Sequence, residues 1–349
     1  MRLSNASFRV ARALVAIAAA AAPATSQCPP TSVDGAFVGW SAFAASLPAG
    51  GSFTANAVAT GGNPGAAYAV THLVPGGVPG AILIVVHLPP AAIPAPPTGF
   101  ATVDLAVDVL VASESPAGAF GGVGFFFVAE QAGALFYAPS TATIPLLGAG
   151  WTTVTASGLG ATDFVNATGG APAFLDFAPT AAPIRFGFLS ENAHLDGSCF
   201  TQPGCGPGTT SSVFDDYAVT VYPAAAVTTL APGCGAPALT LLATPLVVGG
   251  PVSVYVAAAA PGGVGSIFIS APPAAPLSIG GGCLVGLDLA TAVELAPFAL
   301  DAAGTWLLTA TAPFDCGLFG ATLAAQAVLL TPGAPGFALS PALRLTFGG

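Results

Sequence analysis

Glycine and proline interrupt this chain so often that its backbone has few ways to fold. The sequence holds 45 glycines and 34 prolines. Proline removes a helical hydrogen bond and clashes with the preceding turn, and each glycine costs a helix about 1 kcal/mol relative to alanine. Beyond the first 26 residues no stretch can sustain several helical turns. What survives between the breaks are short alternating or β-branched runs, which read as strands. They fall at residues 81–87, 101–111, 124–129, 151–155, 183–189 and 217–222. After a boundary at 223–229 the same texture resumes at 251–257, 266–270, 283–289, 305–311, 323–330 and 342–347. Within 101–111, Val103, Leu105, Val107, Val109 and Val111 share one face, and Asp104 and Asp108 lie on the other. Phe125, Phe126 and Phe127 are apolar on both faces, as in a strand buried between two layers. Residues 130–133 predict a hairpin turn, and 301–304 predict another. The segment 88–99, LPPAAIPAPPTG, reads as a polyproline-like connection.

The first 26 residues have the character of a secretory leader. Arg2, Arg9 and Arg12 precede the apolar run 13–22, which is too short to span a bilayer, and Ala24-Thr25-Ser26 is a small-x-small cleavage site. Cleavage there predicts a mature chain that begins at Gln27 and works outside the cytoplasm. Gln27 before Cys28 does not suit a lipoprotein signal, so no lipid anchor is expected. The chain has five basic residues, all arginine, against 15 acids. Removing the leader leaves Arg185 and Arg344. Nucleic-acid binding needs clustered cations to displace phosphate counterions, so it is excluded, as is polybasic attraction to anionic lipid. The mean hydropathy of +0.82 comes largely from alanine. Later apolar stretches are cut by Gly and Pro, so no integral membrane helix is expected. Against an outer-membrane barrel, the aromatics do not recur at strand ends, and the long Pro-rich connections do not suit tight turns.

Six cysteines in an exported chain read as disulfides. Cys199 and Cys205 close a short loop, worth about 2.4 kcal/mol in the chain-entropy model. A Cys234–Cys283 pair would close a longer one, worth about 4 kcal/mol. Cys28 and Cys316 are left over, to pair with each other or stay free.

Two resemblances follow from local motifs. Asp34-Gly35, Gly39-Trp40, the 61–65 loop GGNPG, the strand opening at Trp151, PIRFGFLSE at 183–191 and VFDDYAVTV at 213–221 resemble concanavalin-like, laminin-B-like jelly-roll modules. Gly233-Cys234-Gly235, Gly282-Cys283-Leu284, the 301–304 turn, Gln326 and the closing SPALRLTFGG resemble a C-terminal module of uncharacterised secreted planctomycete-type proteins. That second resemblance implies the Cys234–Cys283 pairing; Cys316 departs from its pattern. Together they imply an all-β chain of two β-sandwich domains, the first jelly-roll-like and the second smaller and immunoglobulin-like. The expected organisation is a signal peptide at 1–26, a first domain at 27–223, a linker at 224–229 and a second domain at 230–349.

The chemistry-bearing residues are few. Asp34, Asp215 and Asp216 form a candidate structural calcium site, since hard cations take carboxylate oxygens; alternatively Asp215 is solvated and Asp216 caps a turn. Asp104 and Asp108 line a candidate ligand surface or an ordinary wet face. Glu114 and Glu130 lack the spacing a glycosidase pair needs. His72, His87 and His194 do not cluster in sequence, and His87, ending an apolar strand, reads as a satisfied buried histidine. The serines at 113–115 and 211–212 lack the strand–elbow–helix setting of a hydrolase nucleophile. Trp151 and Trp306 read as core. Tyr68, after a Gly/Pro loop, is expected exposed, where it would stack on a sugar. The loop 192–212, carrying His194 and Asp196 and clipped by Cys199–Cys205, is the expected recognition element. These residues predict a non-catalytic, exported binding protein for carbohydrate or extracellular polymer. The alternative is a surface-display protein whose second domain is an attachment or sorting module.

Overall fold

The computed structural model describes residues 31–63, 65–76, 81–115, 122–193, 206–332 and 336–349. Its contacts divide the chain between Val221 and Tyr222 into two bodies, and both are built from strands.

The first body contains β1 (Thr31–Asp34), β2 (Ser41–Ser46), β3 (Ser52–Gly62), β4 (Gly65–Val74), β5 (Ile82–Leu88) and β6 (Phe100–Ser115). Then come β7 (Gly124–Gln131), β8 (Ala134–Tyr137), β9 (Thr152–Leu159), β10 (Val165–Asn166), β11 (Ile184–Ala193) and β12 (Gly208–Pro223). They form two six-stranded sheets. One runs β3-β4-β12-β6-β9 with β1 beside β12; the other runs β10-β8-β7-β11-β5-β2. Period-two alternation decides which side chains meet between them. β6 turns Val103, Leu105, Val107, Val109 and Val111 inward, all at most 3% exposed. They meet Phe125, Phe127, Phe186 and Phe188 from the opposite sheet. Phe188 sits at the centre, 4.6 Å from Phe214 and 5.5 Å from Phe125, ring centre to ring centre. Phe126 faces away from this core and is half-buried, with its ring edge-on to Tyr137 at 6.3 Å.

The expected hairpin is present. β7 and β8 pair around Ala132-Gly133, whose φ angles of 50° and 82° suit a tight two-residue turn. Glu130 Oε1 accepts the Gly133 N–H at 2.9 Å, and its other oxygen accepts Arg185 Nε–H at 2.7 Å.

The second body contains β13 (Ala226–Ala231), β14 (Leu239–Ala243), β15 (Leu246–Val247), β16 (Pro251–Ala258), β17 (Val264–Ser270) and β18 (Leu277–Gly280). It continues with β19 (Cys283–Val285), β20 (Val293–Ala299), β21 (Thr305–Thr311), β22 (Thr322–Leu330), β23 (Phe337–Leu339) and β24 (Ala342–Gly348). A seven-stranded sheet built on β13-β24-β22-β17-β20 faces the three-stranded sheet β14-β16-β21. Ile267, Ile269, Leu323 and Leu345 from the first pack on Leu241, Val254 and Val256 from the second. Cys234 and Cys283 are disulfide-bonded, with Cα atoms 5.1 Å apart. The linker reading of 224–229 needs correction: residues 226–229 begin β13, which pairs with β24. The run Val227-Thr228-Thr229 is β-branched and suits a strand.

Gln326 holds this body together from inside. It is 1% exposed. Its Oε1 accepts Gly286 N–H at 3.1 Å, while its Nε2 donates to Leu284 O at 3.0 Å and Ser340 O at 2.9 Å. One amide thus ties the loop after the disulfide to the corner before β24.

Candidate functional site

The outward face of the β3-β4-β12-β6-β9 sheet gathers the chemistry-bearing side chains of the first body. Alternation along β6 turns Asp104 and Asp108 away from the core, and β9 supplies their partners. Asp108 Oδ1 accepts Thr153 Oγ1–H at 2.6 Å, and Asp104 Oδ1 accepts Gly158 N–H at 2.7 Å. Thr71 on β4 and Ser211 on β12 are outward neighbours whose hydroxyls lie 3.1 Å apart. Thr153 and Thr155 on β9 are exposed.

A bulge in β12 adds Asp216 to this face. Before it, the buried side chains fall at Thr210, Ser212 and Phe214; after it they fall at Tyr217, Val219 and Val221. The inward set therefore slips by one position across Asp215-Asp216, as an extra residue in a strand requires. Asp216 takes φ 46° and is exposed. Partial desolvation, then the negative charges of Asp215 and Asp108, hold its carboxyl above the usual value. β12 and β6 are adjacent in the sheet, so Asp216 and Asp108 stand on neighbouring strands of one face.

The alternative reading of the aspartate pair is reversed. Asp215, expected solvated, is 1% exposed. Its carboxylate accepts the N–H of Asn63, from the loop between β3 and β4, and that of Asp216. Asp34 is engaged locally. One oxygen accepts Ala36 N–H at 3.1 Å and Phe37 N–H at 2.8 Å; the other accepts Trp40 Nε1–H at 2.6 Å. Among the described residues no group of three or more His, Cys, Asp or Glu side chains is placed to hold a metal ion.

Tyr68 is not a surface platform. It is 2% exposed and stacked on Phe37, ring centres 5.2 Å apart. β4 starts immediately after the Gly/Pro loop, and its alternation sends Tyr68, Val70, His72 and Val74 inward together. Trp40 closes over this cluster, 4.9 Å from Tyr217 and edge-on to it. Trp151 is half-buried just before β9, and Trp306 packs against the second core 5.8 Å from Phe298.

The expected recognition loop is strand at both ends. β11 runs to Ala193 and β12 starts at Gly208, so Asn192, Thr210 and Ser212 are buried ladder residues. His194, Asp196, Cys199 and Cys205 lie outside the described residues, as does Cys28.

A second polar constellation lies inside the sandwich, and little in the local sequence points to it. His72 on β4, His87 on β5, and Ser190 and Asn192 on β11 are all at most 3% exposed. Ser190 Oγ stands 3.1 Å from His72 Nε2 and 2.8 Å from His87 Nε2. Only the buried character of His87 was readable, from its place at the end of an apolar run.

In the second body, Leu242, Tyr255 and Leu307 are direct cross-strand partners on the outward face of β14-β16-β21. Leu242 and Leu307 are more than half exposed. Across the described residues no helix is long and apolar enough to cross a membrane.

No protein-family model matches this chain, and no curated protein matches it. Among solved structures, the chain is similar at 13% identity to a crystal structure with xylogluco-oligosaccharide. The match covers 49% of this chain and 36% of that one, at a TM-score of 0.21.

Proposed function

We propose that this chain is an exported, non-catalytic binding protein that holds a hydroxyl-rich polymer on the outward face of the β3-β4-β12-β6-β9 sheet. The observation that supports this most is that Asp104, Asp108, Thr71 and Ser211, all half-buried, share the outward face of one sheet with the exposed Asp216, Thr153 and Thr155. Carboxylates accept hydrogen bonds from sugar hydroxyls, and Ser and Thr both donate and accept. The same carboxylates repel polyanions, so the polymer is a neutral or cationic polysaccharide rather than a polyuronate or nucleic acid. Export rests on the leader-like first 26 residues.

Two features favour binding over hydrolysis. Asp104 and Asp108 are four residues apart on one strand, about 13 Å along it, beyond the separation that glycosidase carboxyl pairs use. Glu130 is occupied by Arg185 and by the hairpin turn. The test is retention of the full chain on a panel of insoluble polysaccharides and a glycan array. Selective retention on neutral or amino-sugar polymers is expected; no retention on any of them would remove the proposal.

Surface display is a second reading, favoured by the exposed Leu242 and Leu307 flanking the half-buried Tyr255. In it the second body attaches the chain to the cell surface. Removing 230–349 and fractionating cells tests it, and unchanged localisation would count against it.

A further inference from the structure

The buried polar constellation in the first body has one consistent arrangement of protons, which follows from one end. The Asn192 amide N–H groups face two carbonyls, Gly122 O at 3.0 Å and Glu191 O at 3.2 Å. Its oxygen therefore accepts from His72 Nδ1–H at 2.7 Å. A neutral imidazole that donates through Nδ1 accepts at Nε2, so the Ser190 hydroxyl donates to His72 Nε2. The Ser190 oxygen is left to accept from His87 Nε2–H. His87 Nδ1 is then an acceptor facing Tyr68 Oη–H at 3.4 Å. The chain runs Tyr68 → His87 → Ser190 → His72 → Asn192 in one direction, and crosses from β4 in one sheet to β5 and β11 in the other.

We propose that this chain is an acid-release device: protons taken up by His72 and His87 as the pH falls below neutral separate the two sheets of the first body and leave the second body intact. The geometry supplies the cost. A proton added at His72 Nε2 or His87 Nδ1 puts a donor where the ring now accepts, so Ser190 or Tyr68 must turn its hydroxyl hydrogen away into a dry core. It also places a charge in a buried, largely apolar surround, which desolvation opposes. His72 is flanked by Phe53 on β3 and Thr210 on β12, its cross-strand partners. His87 is flanked by Ala42 on β2, Phe188 on β11 and Phe214 on β12. Among the described residues, the titratable groups in contact with these rings are the rings themselves and Tyr68. Glu191 alternates to the other face of β11, against Gly124. Burial lowers His72 to about 4, and burial and then the neighbouring His72 hold His87 well below the ordinary histidine value.

The sign of the pH effect follows. A group whose folded pKa is depressed below its unfolded value of about 6.5 stabilises the fold above 6.5, and that stabilisation is lost as pH falls toward the folded pKa. Glu191 and Asp216, whose carboxyls burial raises, oppose the histidines in sign, since a raised carboxyl gains stability as pH falls, so the substitution of His87 isolates the imidazole term. The second body, residues 222–349, contains no histidine and serves as an internal control.

The test is amide hydrogen exchange of the full chain at pH 7 and pH 5, corrected for intrinsic rates. From pH 7 to 5, each imidazole raises the opening constant about 25-fold and the pair about 600-fold. Protection in β4, β5 and β11 is expected to fall on that scale, while β16, β17 and β22 keep theirs. His87→Gln should reduce the change to about 25-fold. Because that variant removes a core ring, nitrogen NMR of the unsubstituted protein decides independently. His72 should be the Nδ1–H tautomer and His87 the Nε2–H tautomer, both neutral down to pH 5. Equal loss of protection in both bodies, no loss in the first, or a ring titrating near 6.5 in the intact fold would overturn the proposal.

Discussion

Asp108 on β6 and Thr153 on β9 are cross-strand partners, and the Thr153 hydroxyl donates to Asp108 Oδ1 at 2.6 Å. The bond holds one carboxylate oxygen in place on the outward face of the sheet. Because the pair is solvent-accessible, its net contribution to stability is small, about 1 kcal/mol or less. Asp108→Ala is therefore expected to shift the urea midpoint only slightly while abolishing polymer retention. A variant that unfolds readily would show instead that Asp108 serves the fold.

Gln326→Ala should be among the most damaging polar substitutions in the second body. It strands the Gly286 N–H and removes the donor to the buried Ser340 carbonyl and the part-buried Leu284 carbonyl. Lost buried hydrogen bonds of this kind cost about 1–3 kcal/mol each when a partner is left unsatisfied. A loss of about 3 kcal/mol in chemical denaturation is expected.

The Cys234–Cys283 disulfide joins residues 49 apart in sequence. In the chain-entropy model such a loop contributes about 4 kcal/mol. Cys234→Ala with Cys283→Ala is expected to lower the denaturant midpoint of the second body by a corresponding amount. The same loss should follow when the native protein is unfolded in the presence of reductant.

Gly187 lies in β11 where a Cβ would come within 2.1 Å of the His87 carbonyl oxygen. Backbone cannot give way there without parting β11 from β5. Gly187→Ala should destabilise the first body by about 1–3 kcal/mol, the range for overpacked interiors. Near-native stability of this variant would mean the two strands separate more easily than their register implies.

The strands richest in contrast were legible in the sequence. β6 shows five aliphatics alternating with Asp104 and Asp108, and the aspartates do face outward. β3 and β4 are not legible, because runs such as AVATGG and GAAYAV offer little difference between their two faces. The Gly/Pro loop before Tyr68 therefore points it to the surface, since without β4 its inward parity with Val70 and His72 is invisible. The Asp215-Asp216 bulge was hidden for a related reason, since two identical residues carry no sign of which one is buried. The His72–Ser190–His87 junction joins three strands distant in sequence, and no local pattern encodes such a meeting.

The most direct measurement of the binding account compares the intact protein with the Asp104→Asn, Asp108→Asn double variant on the same polysaccharide panel at neutral pH. Amide replacements keep the shape of both side chains and remove their charge. The account predicts that the unsubstituted protein is retained on a neutral or amino-sugar polymer, with retention at least about tenfold weaker in the variant, the equivalent of one 1.4 kcal/mol step. Equal retention of the two proteins would contradict it.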